Sequence, residues 1–515
     1  MSKNSVQEHD KQILHKMGYA QELSRRMSGF SNFAISFAII CILAGGISAF
    51  PAAFNSLGPG GAFFIWLIGG ALAMSVAVGM GQIASSFPTA GGLYHWSSHL
   101  GGKAWGWATA WFNLVGLIAV VSSVDVLLYT VFFKDLLLGT VMGVDVSTFG
   151  YWHQFFFVAV VLTTQAMLNH YGIELTTKLT DLSGYLILGL SVILIVSLFA
   201  FSPVPFSEMD ITRLWTFKNF TGDAGGAVVP FRTENVAFAF LLGLSYVCYT
   251  ITGFDASAHT AEETQDAQVN VPKGMWTAVF WSWVFGLVAV ASYILTMPSI
   301  DEAGAAGWGS FFYMWGASRM PYGLSLFLAI GLVVVNYLCA LAGLTSTSRM
   351  MYAFARDGGL PASKTLAHVN TTYRTPTYSI WVSAILALLS MVYAPAYLVL
   401  AVACAVFLYI SMVMPIAAGL LAEGTAKWAE KGPFNLGVFS KINAVIAIIF
   451  GITLAISGFF PPNEKVFYFT IGMIVVLPII WFVFGENKRF EGVPEGEKIK
   501  ANQARIAEIE ARYKD

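Results

Sequence analysis

Ile42-Leu43-Ala44-Gly45-Gly46-Ile47-Ser48-Ala49-Phe50-Pro51 and Tyr249-Thr250-Ile251-Thr252-Gly253-Phe254-Asp255-Ala256-Ser257 are the two stretches on which the fold turns. Each lies in an apolar run long enough to cross a bilayer, for which roughly 20 residues span a hydrocarbon core of about 30 Å. A lipid-facing backbone must satisfy its own hydrogen bonds. Paired glycines before a proline, or glycine among hydroxyls and a carboxylate, therefore mark an unwound stretch facing a cavity. A glycine alone says less, because it also lets helices pack closely. Two such breaks together offer free N–H groups and a positive dipole end to a carboxylate. Their bared carbonyls suit an ammonium, so a zwitterion fits better than a neutral sugar.

Working outward, the 515-residue chain is 57% hydrophobic and 11% charged, with mean hydropathy +0.67, whereas soluble domains carry about 25% charged residues. This is the composition of a membrane protein. A formal net charge of -1 gives no global attraction for nucleic acid. Cys41, Cys248, Cys339 and Cys404 all sit in apolar runs, which leaves no disulfide framework or zinc-ribbon spacing. The polar leader, 1–29, precedes an apolar stretch too long for a cleaved signal, so it is expected to remain in the mature protein.

Twelve spans are expected, near 30–54, 61–85, 104–133, 151–170, 179–201, 236–258, 275–297, 323–352, 376–393, 397–420, 441–460 and 465–485. With this division, 22 of the 28 Lys and Arg residues fall on the side of the two termini. Only Lys134, Arg213, Lys218, Arg232, Arg319 and Lys465 fall opposite. The positive-inside rule then makes both termini cytoplasmic in a multi-pass protein of the cell membrane. Spans one and six hold corresponding places in two five-helix halves, as an inverted repeat with its site at the interface requires. The expected organisation is a leader (1–29), a first repeat (30–201), an outer loop (202–235), a second repeat (236–420), two accessory helices (421–485) and a cytoplasmic tail (486–515).

Ionisable residues inside spans are few, since an aspartate at a helix centre costs about 2.5 to 3.5 kcal/mol. Asp255 reads as a proton acceptor or cation contact, or as the cap of a second half-helix. Asp125 reads as a partner for a substrate amine or a proton carrier, or as a solvated group near the outer interface. His95 and His99 have metal-pair spacing but no third ligand near, and the eight histidines form no chelating or triad-like cluster with the acids in the spans. No metal, cofactor or P-loop is called for.

Phe87-Pro88-Thr89-Ala90-Gly91-Gly92-Leu93-Tyr94-His95-Trp96, followed by Trp105-Gly106-Trp107 and Asn113, resembles a signature of the amino acid, polyamine and organocation (APC) permeases. Ser348-Arg349-Met350-Met351-Tyr352-Ala353-Phe354-Ala355-Arg356-Asp357-Gly358-Gly359-Leu360-Pro361 resembles that superfamily's segment at the inner end of helix 8. Gly253-Phe254-Asp255-Ala256 before Glu262-Glu263, and Leu408-Tyr409-Ile410-Ser411 before Pro415, are most similar to the amino acid/choline transporter branch, which includes GABA and choline permeases. The resemblance implies an all-α LeuT-type fold with five-plus-five inverted repeats and broken helices 1 and 6. It implies that the amides of Ala44, Gly45 and Gly46, flanked by Ile42 and Ile47, hold a substrate carboxylate. The carbonyls around Thr252, Gly253 and Phe254 would take the amine, Phe254 would gate, Tyr249 would face the substrate, and Asp255 would couple protons. Two features depart from the pattern: Gln82 replaces a common glutamate, and span five has no mid-helix lysine.

The function expected is secondary active transport of a small amino acid or related amine by alternating access, with no covalent chemistry. Coupling is to a proton in preference to sodium, or by exchange, with Asp255 and Asp125 as candidates. A non-transporting nutrient sensor and a cation-selective polyamine or choline carrier are the alternatives. The partners expected are the substrate, the coupling ion and the lipid bilayer, in a monomer or homodimer.

Overall fold

The computed structural model describes residues 3–223, 228–393, 397–460 and 463–513. Among these residues the secondary structure is helical, apart from two isolated bridges. The first part of the chain contains α1 (Lys3–Lys16), α2 (Gly29–Ile40), α3 (Ile42–Ser86), α4 (Leu93–Gly101), α5 (Lys103–Leu127), α6 (Tyr151–His170) and α7 (Ile173–Ala200). After the long connection that follows α7 come α8 (Val236–Thr250), α9 (Ala256–His259), α10 (Ala267–Thr296), α11 (Ile300–Ala305), α12 (Ser310–Ala317) and α13 (Tyr322–Arg356). The chain ends with α14 (Ser363–Leu366), α15 (Thr377–Tyr393), α16 (Tyr397–Ala422), α17 (Ser440–Ser457), α18 (Glu464–Phe482), α19 (Glu486–Arg489) and α20 (Glu497–Glu510).

Eight helical runs are long and apolar enough to cross a membrane, and Val236–Thr250 and Thr377–Val392 are shorter apolar helices. The run Gly29–Ser86 turns a corner at Leu57 and Gly58, whose backbone is not helical; Gly58 has φ +74° and Pro59 follows. That corner separates the segments expected at 30–54 and 61–85. The third expected span continues past 133 as a wider π-type helix over Leu128–Val141.

The core is built by α3 packed on α8 and α10, and by α5 packed on α16 and α13. Glycines let α3 and α10 lock together. A Cβ on Gly286 would lie 2.0 Å from the Trp66 ring, and one on Gly70 would lie 2.0 Å from that of Trp283. Trp66 also donates its indole N–H to the Trp283 carbonyl at 3.1 Å. Each helix thus seats a tryptophan on a bare patch of the other.

The first break is not where the glycine pair suggested. It falls at Cys41, with φ 35° and ψ 73°, while Gly45 and Gly46 lie inside α3. A left-handed non-glycine residue costs roughly 1–2 kcal/mol, but the surroundings fix it. Cys41 N–H donates to Phe37 O at 3.1 Å, Gly45 N–H donates to Cys41 O at 2.9 Å, and the Cys339 thiol of α13 donates to Ile39 O at 3.2 Å. Gly45 serves close approach: a Cβ there would stand 2.6 Å from Thr250 Cγ2. The second break runs between α8 and α9, with Gly253 at φ +77°.

Candidate functional site

The two breaks face each other. A Cβ on Gly253 would lie 2.3 Å from Ile39, so only a glycine lets the second break close on the first. Side chains stitch them together. Ser36 Oγ of α2 donates to Phe254 O at 2.8 Å and accepts from Ser257 N–H at 3.0 Å, and Asn32 Nδ2 donates to Ser257 O at 2.9 Å. Tyr409 of α16 donates its hydroxyl to Ile251 O at 2.7 Å. The carbonyls of Ile251, Gly253 and Phe254 at the break thus each have a partner, that of Gly253 being the Ala256 N–H at 3.2 Å.

Between the breaks is an enclosed cavity of about 20 Å³, room for about one water molecule. Of the residues expected at the site, Ala44, Gly45, Tyr249 and Thr252 line it, joined by Cys41, Thr250, Cys339 and Cys404. Thr250 Oγ1 and Thr252 Oγ1 are buried with no hydrogen-bond partner. The first amides of α3, from Ile42, lack intrahelical partners by construction, so the anion-accepting end begins at Ile42 and not at Gly45. Gly46 faces Trp66 instead, and Ile47 and Phe254 are buried outside the lining. Tyr249 OH lies 3.2 Å from Ser123 Oγ of α5.

Asp255 sits behind the cavity wall. Its carboxylate makes no cap to α9, although it precedes that helix. Oδ2 accepts from Asn113 Nδ2 at 3.0 Å and lies 3.2 Å from His259 Nε2, while Oδ1 is unpartnered. His259 and Asp255 form a fully buried pair. Their spacing was visible in the sequence, but the pairing depends on the helix resuming at Ala256. Asp125 is also fully buried, not solvated at an interface. Gln165 of α6 donates to its Oδ1 at 2.9 Å, which turns it towards α6 and α13 and away from the cavity lining.

Charge pairs tie the end of α13 to the segment after α9. Arg349 grips Glu263 through Nε and Nη2 at 3.0 and 3.1 Å, and Arg356 grips Glu262 at 3.0 Å through both Nη atoms. The leader threads beneath. Arg25 donates to the carbonyls of Ala261 and Thr264, and Met27 N–H to that of Glu263 at 2.8 Å. Asp357, just beyond α13, accepts from the hydroxyls of Tyr19 at 2.8 Å and Tyr94 at 3.0 Å. Burial raises its carboxyl above the ordinary range against the pull of Arg356. The tail helix α20 docks on α1 through Glu510, which meets Lys11 at 3.0 Å, His15 at 2.7 Å and the Gln21 N–H at 2.9 Å. In α3, beyond the cavity from these contacts, Phe50 packs edge-on against Tyr293, with ring centroids 5.4 Å apart.

The profile of the family described as Amino acid permease matches residues 27–484. The chain is 31% identical over 511 residues to the amino-acid permease BAT1 of Arabidopsis thaliana, covering 93% of this chain and 95% of that one. It is 33% identical over 442 residues to the amino-acid permease BAT1 homolog of Oryza sativa, covering 82% of each. It is 26% identical over 383 residues to the GABA-specific permease of Saccharomyces cerevisiae, covering 72% of this chain and 64% of that one.

Proposed function

The chain belongs to the amino acid permease family, and on that premise we propose that it is a secondary transporter of a small amino acid or related amine. The observation that carries this reading is the abutment of two helix breaks around a buried cavity, with the first turn of a half-helix on one side and the unpartnered hydroxyls of Thr250 and Thr252 on the other. The substrate carboxylate meets the first turn of α3 at Ile42 to Gly45. The ammonium meets the carbonyl end of α8 near Thr250 to Gly253, with Tyr249 alongside. A cavity of about 20 Å³ must widen to admit an amino acid. Binding is therefore coupled to motion, which is what alternating access requires.

The eight apolar runs, with Gly29–Ser86 divided at its corner and Val236–Thr250, Thr377–Val392 and the 20-residue Tyr151–His170 added, support twelve crossings. Twelve crossings and the distribution of Lys and Arg support both termini being cytoplasmic. In the five-plus-five arrangement, the helices around the two breaks rock against the rest. Phe254 governs access through its backbone, and the Arg–Glu pairs open to release substrate inward. The test is thermal unfolding of the purified protein across a panel of amino acids and amines. A substrate at about 100 times its Kd adds roughly 2.7 kcal/mol; uptake of the same compound into liposomes then separates a carrier from a sensor. Stabilisation without flux would overturn transport, and stabilisation by polyamines or choline alone would overturn the amino acid assignment.

A further inference from the structure

The Asp255–His259 contact can be read for its proton content. His259 Nδ1 lies 3.3 Å from the carbonyl of Ala90. A carbonyl only accepts, so Nδ1 carries a hydrogen, and in a neutral ring Nε2 is then a bare lone pair. Nε2 faces Asp255 Oδ2 at 3.2 Å, and both side chains are fully buried. Two lone pairs repel each other at that distance between fully buried side chains. One proton must lie between them, on the carboxyl or on the ring.

We propose that Asp255 and His259 form a single proton-loading unit that carries one coupling proton per transport cycle, a proposal that rests on the permease reading above. With the proton the pair is neutral and closes as seen. Without it, an uncompensated carboxylate faces a lone pair and the two side chains part. The transfer balances simply: water outside donates one proton to the pair, and the pair returns one proton to water inside.

The neighbourhood leaves this role to the pair. Asn113 of α5 and Ser411 of α16 are neutral, and of the titratable groups of α16 the Tyr409 hydroxyl donates to the Ile251 carbonyl while Cys404 lines the cavity. Of the other charged groups on the surrounding helices, Asp125 is engaged by Gln165 and Lys103 by the Asn487 carbonyl; Lys273 of α10 is exposed. Arg349 and Arg356 of α13 are held by Glu263 and Glu262; α2 has no charged residue. Gly92 abuts the imidazole, 3.4 Å from where its Cβ would stand.

The unit also has a mechanical outlet. Ala90 accepts from His259 and donates its own N–H to Glu262 Oε1 at 3.0 Å, and Glu262 is the carboxylate gripped by Arg356. Loss of the proton at His259 thus pulls on the segment that braces the cytoplasmic closure.

The test uses the full-length protein in liposomes clamped at zero voltage, with the interior one pH unit more alkaline and a mixture of radiolabelled amino acids outside. One proton per substrate predicts about tenfold accumulation of the transported species, a factor of ten per about 1.4 kcal/mol. In His259→Gln and in Asp255→Asn, where an amide fixes the contact, the accumulation ratio should fall to unity and the pH dependence of initial uptake should flatten. Tenfold accumulation by either variant would overturn the proposal. Uptake by the wild type that ignores the gradient would also overturn it while leaving the permease reading intact, whereas no uptake at all would sink that reading. If the variants do not fold, isotope-edited NMR of the histidine nitrogens in the wild type decides. A buried ring with protons at both nitrogens, or with Nε2 accepting from a carboxyl proton, supports the unit; a bare Nε2 overturns it.

Discussion

Gly253 is the residue on which the joint between the breaks depends most directly. Gly253→Ala should cost about 1–2 kcal/mol for its left-handed backbone alone, and the new Cβ would also strike Ile39. We expect a lower thermal midpoint and no uptake, and Ile39→Ala should not restore either, since the backbone strain remains. Gly45→Ala differs: its obstacle is the Thr250 side chain, so the double variant with Thr250→Ala should recover stability measured by thermal unfolding. Asp125→Asn should leave substrate affinity in the stabilisation assay unchanged, because Asp125 points to Gln165 and not into the lining. Gly253 and Asp255 were legible in the sequence because a carboxylate and a glycine have no business in a lipid-facing turn. Cys41 was not. Nothing about a cysteine announces a left-handed backbone, and the group that completes its turn, Cys339, comes from α13. His259 was hidden differently, since an i, i+4 relation means a contact only if the chain between is helical.

Among elements, the junction of α13 with the segment after α9 is held by two ion pairs, and in the proposed transport cycle it is the inner closure. Arg349 and Glu263 are both fully buried. Removing one partner of such a pair costs about 3–5 kcal/mol because the other charge is stranded. Arg349→Met should therefore destabilise the protein more than Arg349→Met with Glu263→Leu together, as read by thermal unfolding. The terminal helices depend on pH. Burial opposes the charge on Glu510, but the Gln21 N–H, His15 and Lys11 outweigh it and hold its carboxyl below the ordinary 4.5. A lowered value means the contact contributes fully above pH 4.5 and is lost as pH falls through the lowered value. The protection factors of the amides over 497–510, corrected for the intrinsic exchange rate at each pH, should be high at pH 6 and fall under acid; Glu510→Gln should lower them already at pH 6. The helices themselves were largely legible from apolar run length. Their ends were less so: α7 starts at Ile173 and not near 179, and α13 runs on to Arg356, because polar residues paired within the protein extend a helix beyond its apolar stretch. Docking of α20 on α1 had no signal in the sequence, since mixed charges at helical spacing look the same on a solvated helix and a docked one.

At the scale of the molecule, two interrupted helices face each other around one buried cavity, and in the proposed transport cycle the contacts on either side of it govern access. Under that proposal the packing of Phe50 on Tyr293 belongs to the outer closure and the Arg–Glu pairs to the inner one. The enclosed cavity of about 20 Å³ then sets a requirement: substrate must separate the breaks to enter. The most direct measurement is an electron cryomicroscopy map of the protein in lipid nanodiscs, saturated with the amino acid that stabilises it best. We expect density for that amino acid between the first turn of α3 and the Ile251 to Gly253 segment, its carboxylate towards Ile42 to Gly45. A map in which α2 runs unbroken into α3 and α8 into α9, or in which the amino acid is bound elsewhere, would contradict the account.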